Sequence, residues 1–323
     1  MESEEIIEIR AGSEIVFDSP DQCCLVLQGR VLVTSQAGKQ ALGPGAVIAY
    51  GSQACVDKDA QIAFIPLEKL RRIRPEIADQ IVCETRLAEL QAIPVEGHGG
   101  PKYFFEVDAV CPVCGQTFKG IKLFESKLQQ ISMDRDTRKH FKDIEPAYYR
   151  IWVCPKCLYA NFSGHRFSEI TDNQKAILKE AIADRIKLLA GQNNLKSEAQ
   201  TAITRYRLAA EVLERGQFSL DMLGRAWLNL AWIYESIEDT ETANMARNKS
   251  AALYEQFYLE SRSMSPAMEI QVMYIIGELS KRLGDLKKAH QYFFKVAHHK
   301  ENSNSILKDF ARDGIQEIRA AAR

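Results

Sequence analysis

Two short cysteine knuckles restrict what this chain can fold into more than any other feature. The first reads Cys-Pro-Val-Cys-Gly over residues 111–115, the second Cys-Pro-Lys-Cys-Leu over residues 154–158. Two residues between cysteines let both sulfurs of a tight turn point at one ion. Proline after the first cysteine pre-sets φ for such a turn, and Gly115 permits the left-handed residue that often closes it. Two knuckles supply four thiolates, the complete tetrahedral shell of a structural zinc site. Cys111, Cys114, Cys154 and Cys157 are therefore the expected ligands of one zinc ion per chain. Such a site is closed, with no position left for water, so it serves folding rather than hydrolysis. A redox dithiol is the competing reading, and it requires a thioredoxin-like βαβ setting. His140 and His165 are substitute ligands by residue type, and both read as ordinary, partly exposed histidines.

The flanks favour metal over redox chemistry. Cys111 follows the aromatic run Tyr103, Phe104, Phe105, and Cys154 follows Tyr148, Tyr149, Arg150, Ile151, Trp152, Val153. Both runs predict short strands leading into knuckles, a zinc-ribbon-like arrangement. Between the knuckles, Ile121, Leu123, Leu128, Ile131 and Met133 alternate with charged residues, and the run 134–140 (Asp-Arg-Asp-Thr-Arg-Lys-His) reads as a solvated face or a ligand-binding insert, the former preferred.

A resemblance becomes visible on these residues. The segment from about Tyr103 to Phe167 carries a first C-P-x-C-G-x-x-F knuckle (Cys111 to Phe118) and a downstream Ser126 with Asp134-Arg135-Asp136. An aromatic-rich run then enters a second C-P-x-C-x-Y-A knuckle, Cys154 to Ala160. In this it resembles a bacterial family known only as domain of unknown function 2225. Leu158 stands where glycine is usual, which strains the turn but removes no ligand. The resemblance implies metal binding in an intracellular bacterial protein and brings no established activity with it.

The remaining chain divides by pattern into four parts: a β-roll over 1–66, helices and a linker over 67–101, the cysteine module over 102–169, and helical repeats over 170–323. The net charge of −1 gives no reason to invoke nucleic acid or an acidic membrane surface. The acidic start Met1-Glu2-Ser3-Glu4-Glu5 is unlike a signal peptide, and no long apolar run follows, so a soluble cytoplasmic protein is expected. Cys23, Cys24, Cys55 and Cys83 sit in apolar patterns and read as small buried residues rather than a disulfide framework.

From Ile6 to Pro66, short apolar runs at 15–17, 24–27, 31–33, 47–49 and 62–65 are punctuated by Gly12, Gly29, Gly38 and Gly43-Pro44-Gly45. They predict a small β-roll of the jelly-roll type. Gly12 to Ile15, Leu27 to Val31 and Leu42 to Gly45 give this stretch an order similar to cyclic-nucleotide-binding domains. That family's phosphate cassette needs a Gly-Glu pair and an arginine for the cyclic phosphate. Residues 46–60 contain neither glutamate nor arginine, and Lys58 is the only cation, so no cyclic nucleotide is expected to bind. Leu70, Ile73, Ile77, Ile81, Leu87 and Leu90 then recur at helical spacing, with Pro75 at a helix start. This helical stretch, 75–92, either forms a homodimer contact or packs on its own β-roll. A Gly-rich linker containing His98 follows.

Beyond Glu169 the chain reads as almost wholly helical, with Pro266 its only proline. Trp227, Leu230, Ala231, Tyr234 and Ala243 fit the tetratricopeptide pattern, as do Ile276, Gly277, Gly284, Ala289 and Phe293. Ala202, Tyr206 and Ala209 suit a weaker, earlier unit. The spacings, roughly 41 and 46 residues, exceed the usual ~34. Trp227, Tyr234, Tyr254 and Phe293 are expected in the core, and a last helix is expected over 303–322. By repeat position, Arg225, Trp232, Tyr274, Glu278 and Arg282 face a concave groove suited to an extended peptide or a partner helix.

No Walker loop, G-x-S-x-G, H-E-x-x-H or dinucleotide fingerprint is present. An active site assembled from distant segments would leave no such trace. The sequence thus describes a multidomain α+β protein that is not an enzyme: a β-roll with trailing helices, a zinc-ribbon-like module and a tetratricopeptide-like tail that binds a protein partner. Two alternatives remain. One is a nucleic-acid binder using Lys119, Lys122, Lys127, Arg135, Arg138, Lys139 and Lys142. The other is a dithiol oxidoreductase.

Overall fold

The computed structural model describes residues 6–17, 22–35, 38–49, 52–91, 101–191, 197–301 and 305–321. Its contacts divide the chain into two compact units, Met1–Glu89 with Ile186–Asn194, and Leu90–Arg185 with Leu195–Arg323.

The first unit is an antiparallel sheet of β1 (Ile6–Ile9), β2 (Gln22–Ser35), β3 (Gly38–Leu42), β4 (Val47–Ala49) and β5 (Gln53–Pro66). The order is β1-β5-β2-β3, with β4 also paired to β2. Alternation puts Cys24, Val26, Val31, Ile48, Val56 and Ile62 into one buried core. The runs 24–27 and 31–33, expected as separate strands, are one bent strand. Gly29 is a bulge rather than a turn: it has φ +85°, the β2–β5 register shifts around it, and a side chain there would run into the Asp59 carbonyl and Ala60. Run 62–65 is likewise the end of the long β5. Residues 15–17 are not a strand, although the Ile15 amide donates to the Ala54 carbonyl at 2.9 Å. Two helices follow, α1 (Leu67–Ile73) and α2 (Pro75–Gln91), with Pro75 in the first turn, where its missing N–H costs nothing. Leu70, Ala78 and Ile81 pack with Cys23 and Ile65 of this unit's own sheet.

The second unit begins with three separate hairpins among the described residues. Strands β6 (Phe104–Val110) and β7 (Thr117–Leu123) carry the first knuckle at their tip. Strands β8 (Gln130–Met133) and β9 (Lys139–Phe141) carry the loop 134–138, and β10 (Ile151–Val153) and β11 (Ala160–Phe162) carry the second knuckle. Tyr148 and Tyr149 belong to a 3₁₀ turn ahead of β10 rather than to the strand. Helices follow in the chain: α3 (His165–Ser168), α4 (Asp172–Glu180), α5 (Ile182–Ala190), which passes from the second unit into the first after Arg185, α6 (Glu198–Arg215), α7 (Leu220–Ser236), α8 (Thr240–Glu260), α9 (Pro266–Arg282), α10 (Leu286–Ala297) and α11 (Ser305–Ala321). Helix α4 starts with a capping box between Thr171 and Gln174. Positions 303 and 322, expected at the ends of the last helix, lie outside the described residues, as do His98 and its linker.

From α6 to α11 each helix packs on the next. The turns joining α7 to α8 and α9 to α10 are alike. Asp239 and Asp285 cap the second helix of each pair, accepting from the Thr242 and Lys288 amides at 3.1 and 2.9 Å. The residue before each aspartate is left-handed, Glu238 at φ 64° and Gly284 at φ 86°. Ala231 and Gly277 hold corresponding places, and at Gly277 a Cβ would sit 2.8 Å from the Phe293 ring. Phe293 and Tyr254 are buried as expected. The two tryptophans exchange their expected roles. Trp227 is only half-buried, with the Lys249 ammonium 4.2 Å from its ring centre, whereas Trp232 is 8 % exposed. Among the described residues no helix is long and apolar enough to cross a membrane.

Candidate metal centre

The two knuckles have one backbone geometry. In the first, the Cys111 amide donates to the Gln116 carbonyl at 2.9 Å and the Gly115 amide to the Cys111 carbonyl at 2.9 Å. In the second, Cys154 donates to Tyr159 at 2.8 Å and Leu158 to Cys154 at 3.0 Å. Gly115 and Leu158 occupy the same left-handed position, at φ 76° and 56°. Leucine there costs on the order of 1–2 kcal/mol of steric strain. Leu158 is 2 % exposed, so its burial offsets that strain, whereas Gly115 faces solvent.

Facing hairpins bring the four sulfurs together. Cys111 and Cys157 Sγ are 3.6 Å apart, Cys114 and Cys154 Sγ 3.5 Å, and all four lie within 4.8 Å of one another. Tetrahedral thiolates with metal–sulfur bonds of about 2.3 Å stand about 3.8 Å apart, so the cluster could hold a metal ion. Its electrostatics point the same way. Hydrogen bonds from Cys154 and then Cys157 draw the Cys111 thiol down to about 2, while the bond with Cys111 pushes Cys154 up to about 12 and Cys157 higher still. The neighbouring sulfurs thus favour the thiolate at Cys111 and oppose ionisation of Cys154 and Cys157.

The surroundings hold this geometry. Cys111, Cys154 and Cys157 are at most 1 % exposed and share a core with Val113, Trp152, Tyr159, Phe167, Leu178 and Val212. Phe167 is ringed by Phe118, Trp152 and Tyr159 at centroid distances of 5.7, 5.6 and 5.0 Å. The Trp152 Nε1 donates to the Ile121 carbonyl at 2.7 Å, and its ring lies against Gly120, where a Cβ would meet it at 2.7 Å. The Lys156 amide points at Cys154 Sγ, 3.4 Å away.

Beneath the second knuckle lies Arg185, wholly buried. Its Nε donates to the Cys157 carbonyl at 3.0 Å, one Nη donates to the Leu178 carbonyl at 2.7 Å, and the other is 3.8 Å from the Glu211 carboxylate. Burial lifts the Glu211 carboxyl above its usual range against the pull of Arg185 and Arg215. No motif in the sequence marks Arg185. The signal available was a cation continuing the apolar face of Leu178 and Ile182. The histidines raised as substitute ligands are engaged elsewhere, His140 with Asp134 at 2.7 Å and His165, largely exposed, with Glu169 at 3.1 Å.

The loop 134–138 is not the solvated face expected of it. Asp136 is 1 % exposed, accepting from Trp232 Nε1 at 2.9 Å, and lies 3.4 Å from the Arg282 guanidinium. Arg138 donates to the Trp232 carbonyl and to Glu145, each at 3.0 Å. The Tyr274 hydroxyl donates to the Arg135 carbonyl at 2.6 Å, while the Arg135 side chain pairs with Asp313 at 3.0 Å and stacks over Phe310. Glu278, 2 % exposed, accepts from Arg282 at 3.2 Å. Of the five expected groove residues, Trp232, Tyr274, Glu278 and Arg282 thus come together, and the chain's own loop covers them. Three charged groups, Asp136, Arg138 and Glu278, bury there, and the partly exposed Arg282 pairs with both carboxylates. Arg225 stands apart, against Tyr254, whose hydroxyl burial pushes up to about 12. Several cations of the basic-patch alternative are already paired, Lys119 with Asp108 at 2.7 Å besides Arg135 and Arg138.

Comparison with known proteins gives partial likenesses. An uncharacterized protein of Borreliella burgdorferi is 28 % identical over 156 residues, 43 % of this chain and 55 % of that protein. The chain thus spans about half the length of this relative. A cyclic nucleotide-binding-like protein from Brucella abortus shares 22 % identity, covering 22 % of this chain and 74 % of its own, with a TM-score of 0.18. The N-terminal domain of a transcriptional regulator from Streptomyces coelicolor shares 18 %, covering 27 % and 79 %, also at 0.18. Neither likeness bears on what this chain binds. The family described as an uncharacterized protein conserved in bacteria (DUF2225) matches residues 104–318, from the first knuckle hairpin to the last helix, and the chain belongs to that family.

Proposed function

We propose that this chain is a non-catalytic interaction protein, in which a structural zinc ion fixes the knuckle module and tetratricopeptide-like helices recognise a short, turn-forming segment of a partner. Four soft thiolates at tetrahedral spacing suit zinc and leave no coordination position for substrate. Arg185, one carbonyl away from Cys157, and the Lys156 amide would moderate the net negative charge of such a centre. One observation carries the partner reading: the surface made by Trp232, Tyr274, Glu278 and Arg282 already accommodates a hairpin turn, Asp136 to Arg138, closed by the Asp134 amide on the Arg138 carbonyl at 2.7 Å. A partner segment with an acid followed two residues later by arginine would present the same chemistry and compete with the loop. The ion pairs already formed by Lys119, Arg135 and Arg138 favour this reading over a polyanion surface.

A labelled peptide with the sequence of residues 132–140 tests it by fluorescence anisotropy. Asp136→Ala with Arg138→Ala vacates the surface, and this variant should bind the peptide at least about tenfold more tightly than the parent chain. Adding Arg282→Glu should abolish the gain by repelling the peptide's aspartate. No binding to the double variant, or equal binding to parent and variant, would sink the partner reading. Metal content of protein purified without added metal checks the zinc separately.

A further inference from the structure

The knuckle module has an open cleft that neither the cysteines nor the covered surface uses. This cleft of about 560 Å³ is bordered by Phe105, Lys122, Phe124, Ser126, Arg150 and Ser163. Lys122 and Phe105 are direct cross-strand partners on β6 and β7, so both side chains leave the same face of that hairpin. The Lys122 ammonium lies over the Trp152 ring, 5.7 Å from its centre. It is also 4.0 Å from the place a Cβ would take at Gly164, whose φ of +80° favours glycine. Arg150 borders the same cleft, its backbone carbonyl accepting from the Ser163 amide at 2.8 Å. Two cations from separate parts of the module thus line one cleft.

Among the described residues neither cation has a carboxylate partner, in contrast to Lys119 and Arg138, which are both ion-paired. An anion in the cleft would supply the counter-ion that both lack, in charge-assisted hydrogen bonds. Beside Lys122 the border is aromatic: the Phe105 and Phe124 rings lie 4.6 Å apart, tilted by 34°, with the Lys127 ammonium 4.0 Å over Phe124. The acidic residue at the border is Glu125, which is exposed.

We propose that this cleft binds a small organic anion, its phosphate or carboxylate head held by Lys122, Arg150 and the hydroxyls of Ser126 and Ser163, and its ring-bearing body laid against Phe105 and Phe124. The proposal is independent of the zinc and of the partner segment.

Calorimetric titration of the full chain with phenyl phosphate and with benzoate tests it, and tells the two head groups apart. At least one should bind saturably, and benzyl alcohol, which has no charge, should not. Arg150→Gln should weaken the bound probe about tenfold, and Lys122→Gln should do the same. Phe124→Ala should weaken the aromatic anion while leaving inorganic phosphate unchanged, and Glu125→Gln should tighten the anion. Arg150 is exposed, so its variant should melt like the parent and the result cannot be confused with misfolding. Saturation by neither probe, or equal affinity in Arg150→Gln, overturns the proposal.

Discussion

Cys24 of the N-terminal sheet and Cys154 of the second knuckle are both fully buried, yet their chemistry differs because of what surrounds them. Cys24 lies among Val26, Val31, Ile48 and Ile62, with Cys23 beside it in the chain. Adjacent residues of a strand point to opposite faces, so the two thiols cannot converge. Each therefore acts as a small apolar side chain. Burial raises Cys23 from its ordinary 9.0 to about 11, and burial with the neighbouring Cys23 raises Cys24 to about 12. Cys154 has three sulfurs for neighbours, all four within 4.8 Å. Burial alone makes a cysteine inert, and convergence gives it the geometry of a ligand.

The largest effect expected from this difference is at the knuckle. Cys154→Ser should strip the metal and destabilise the module by on the order of 5 kcal/mol or more, since a structural metal's binding energy is folding energy. Elemental analysis and a thermal melt check it. An unchanged melt would erase the distinction between the two sets of cysteines. Cys24→Ser should leave metal content untouched and cost about 1–3 kcal/mol for an unsatisfied hydroxyl in an apolar core, with Cys24→Ala costing less.

A pH titration separates the groups further. A thiol raised in the folded state ionises more readily in the unfolded chain, so its contribution is complete below the unfolded value and is lost as pH rises through the folded one. For Cys24 that window runs from 9.0 to about 12. Parent protein should lose stability across it, and Cys23→Ala with Cys24→Ala should lose less. At pH 8 both thiols should resist alkylation until the sheet unfolds. Equal loss in parent and variant would show that these thiols do not titrate as buried groups.

The smallest effect lies within the knuckles. Leu158→Gly trades relief of strain for lost burial and should change stability by about 1 kcal/mol or less. Gly115→Leu acquires the strain with no burial to offset it and should cost about 1–2 kcal/mol. Differential scanning calorimetry of the metal-loaded variants orders them. A larger loss for Leu158→Gly would mean that the turn depends on leucine packing rather than on backbone preference.

Much of this was legible in advance. The knuckles announce themselves through Cys-Pro-x-Cys, and Pro75 and Pro266 stand where helices begin. Gly277, Gly284 and Ala289 mark close helix packing and its turn. Gly29 was misread because a glycine inside an apolar run signals a turn or a bulge equally well, and only pairing with β5 decides between them. Trp227 and Trp232 were exchanged because two aromatic residues on one helix differ in burial only through what is laid against each face. For Trp232 that is a loop almost a hundred residues earlier in the chain.

The sequence by itself determined the ligands of the candidate metal centre and the helical character of the second half, since turn chemistry and apolar period act over a few residues. Only the tertiary structure decided that Asp136, Arg138 and Glu278 are buried beside Arg282, that Arg185 lies under a knuckle, and that Lys122 and Arg150 share a cleft. A charged residue carries no local sign of its partner. Whether it faces water or a compensating charge depends on segments far apart in the chain, and the energy of that choice exists only once they have met.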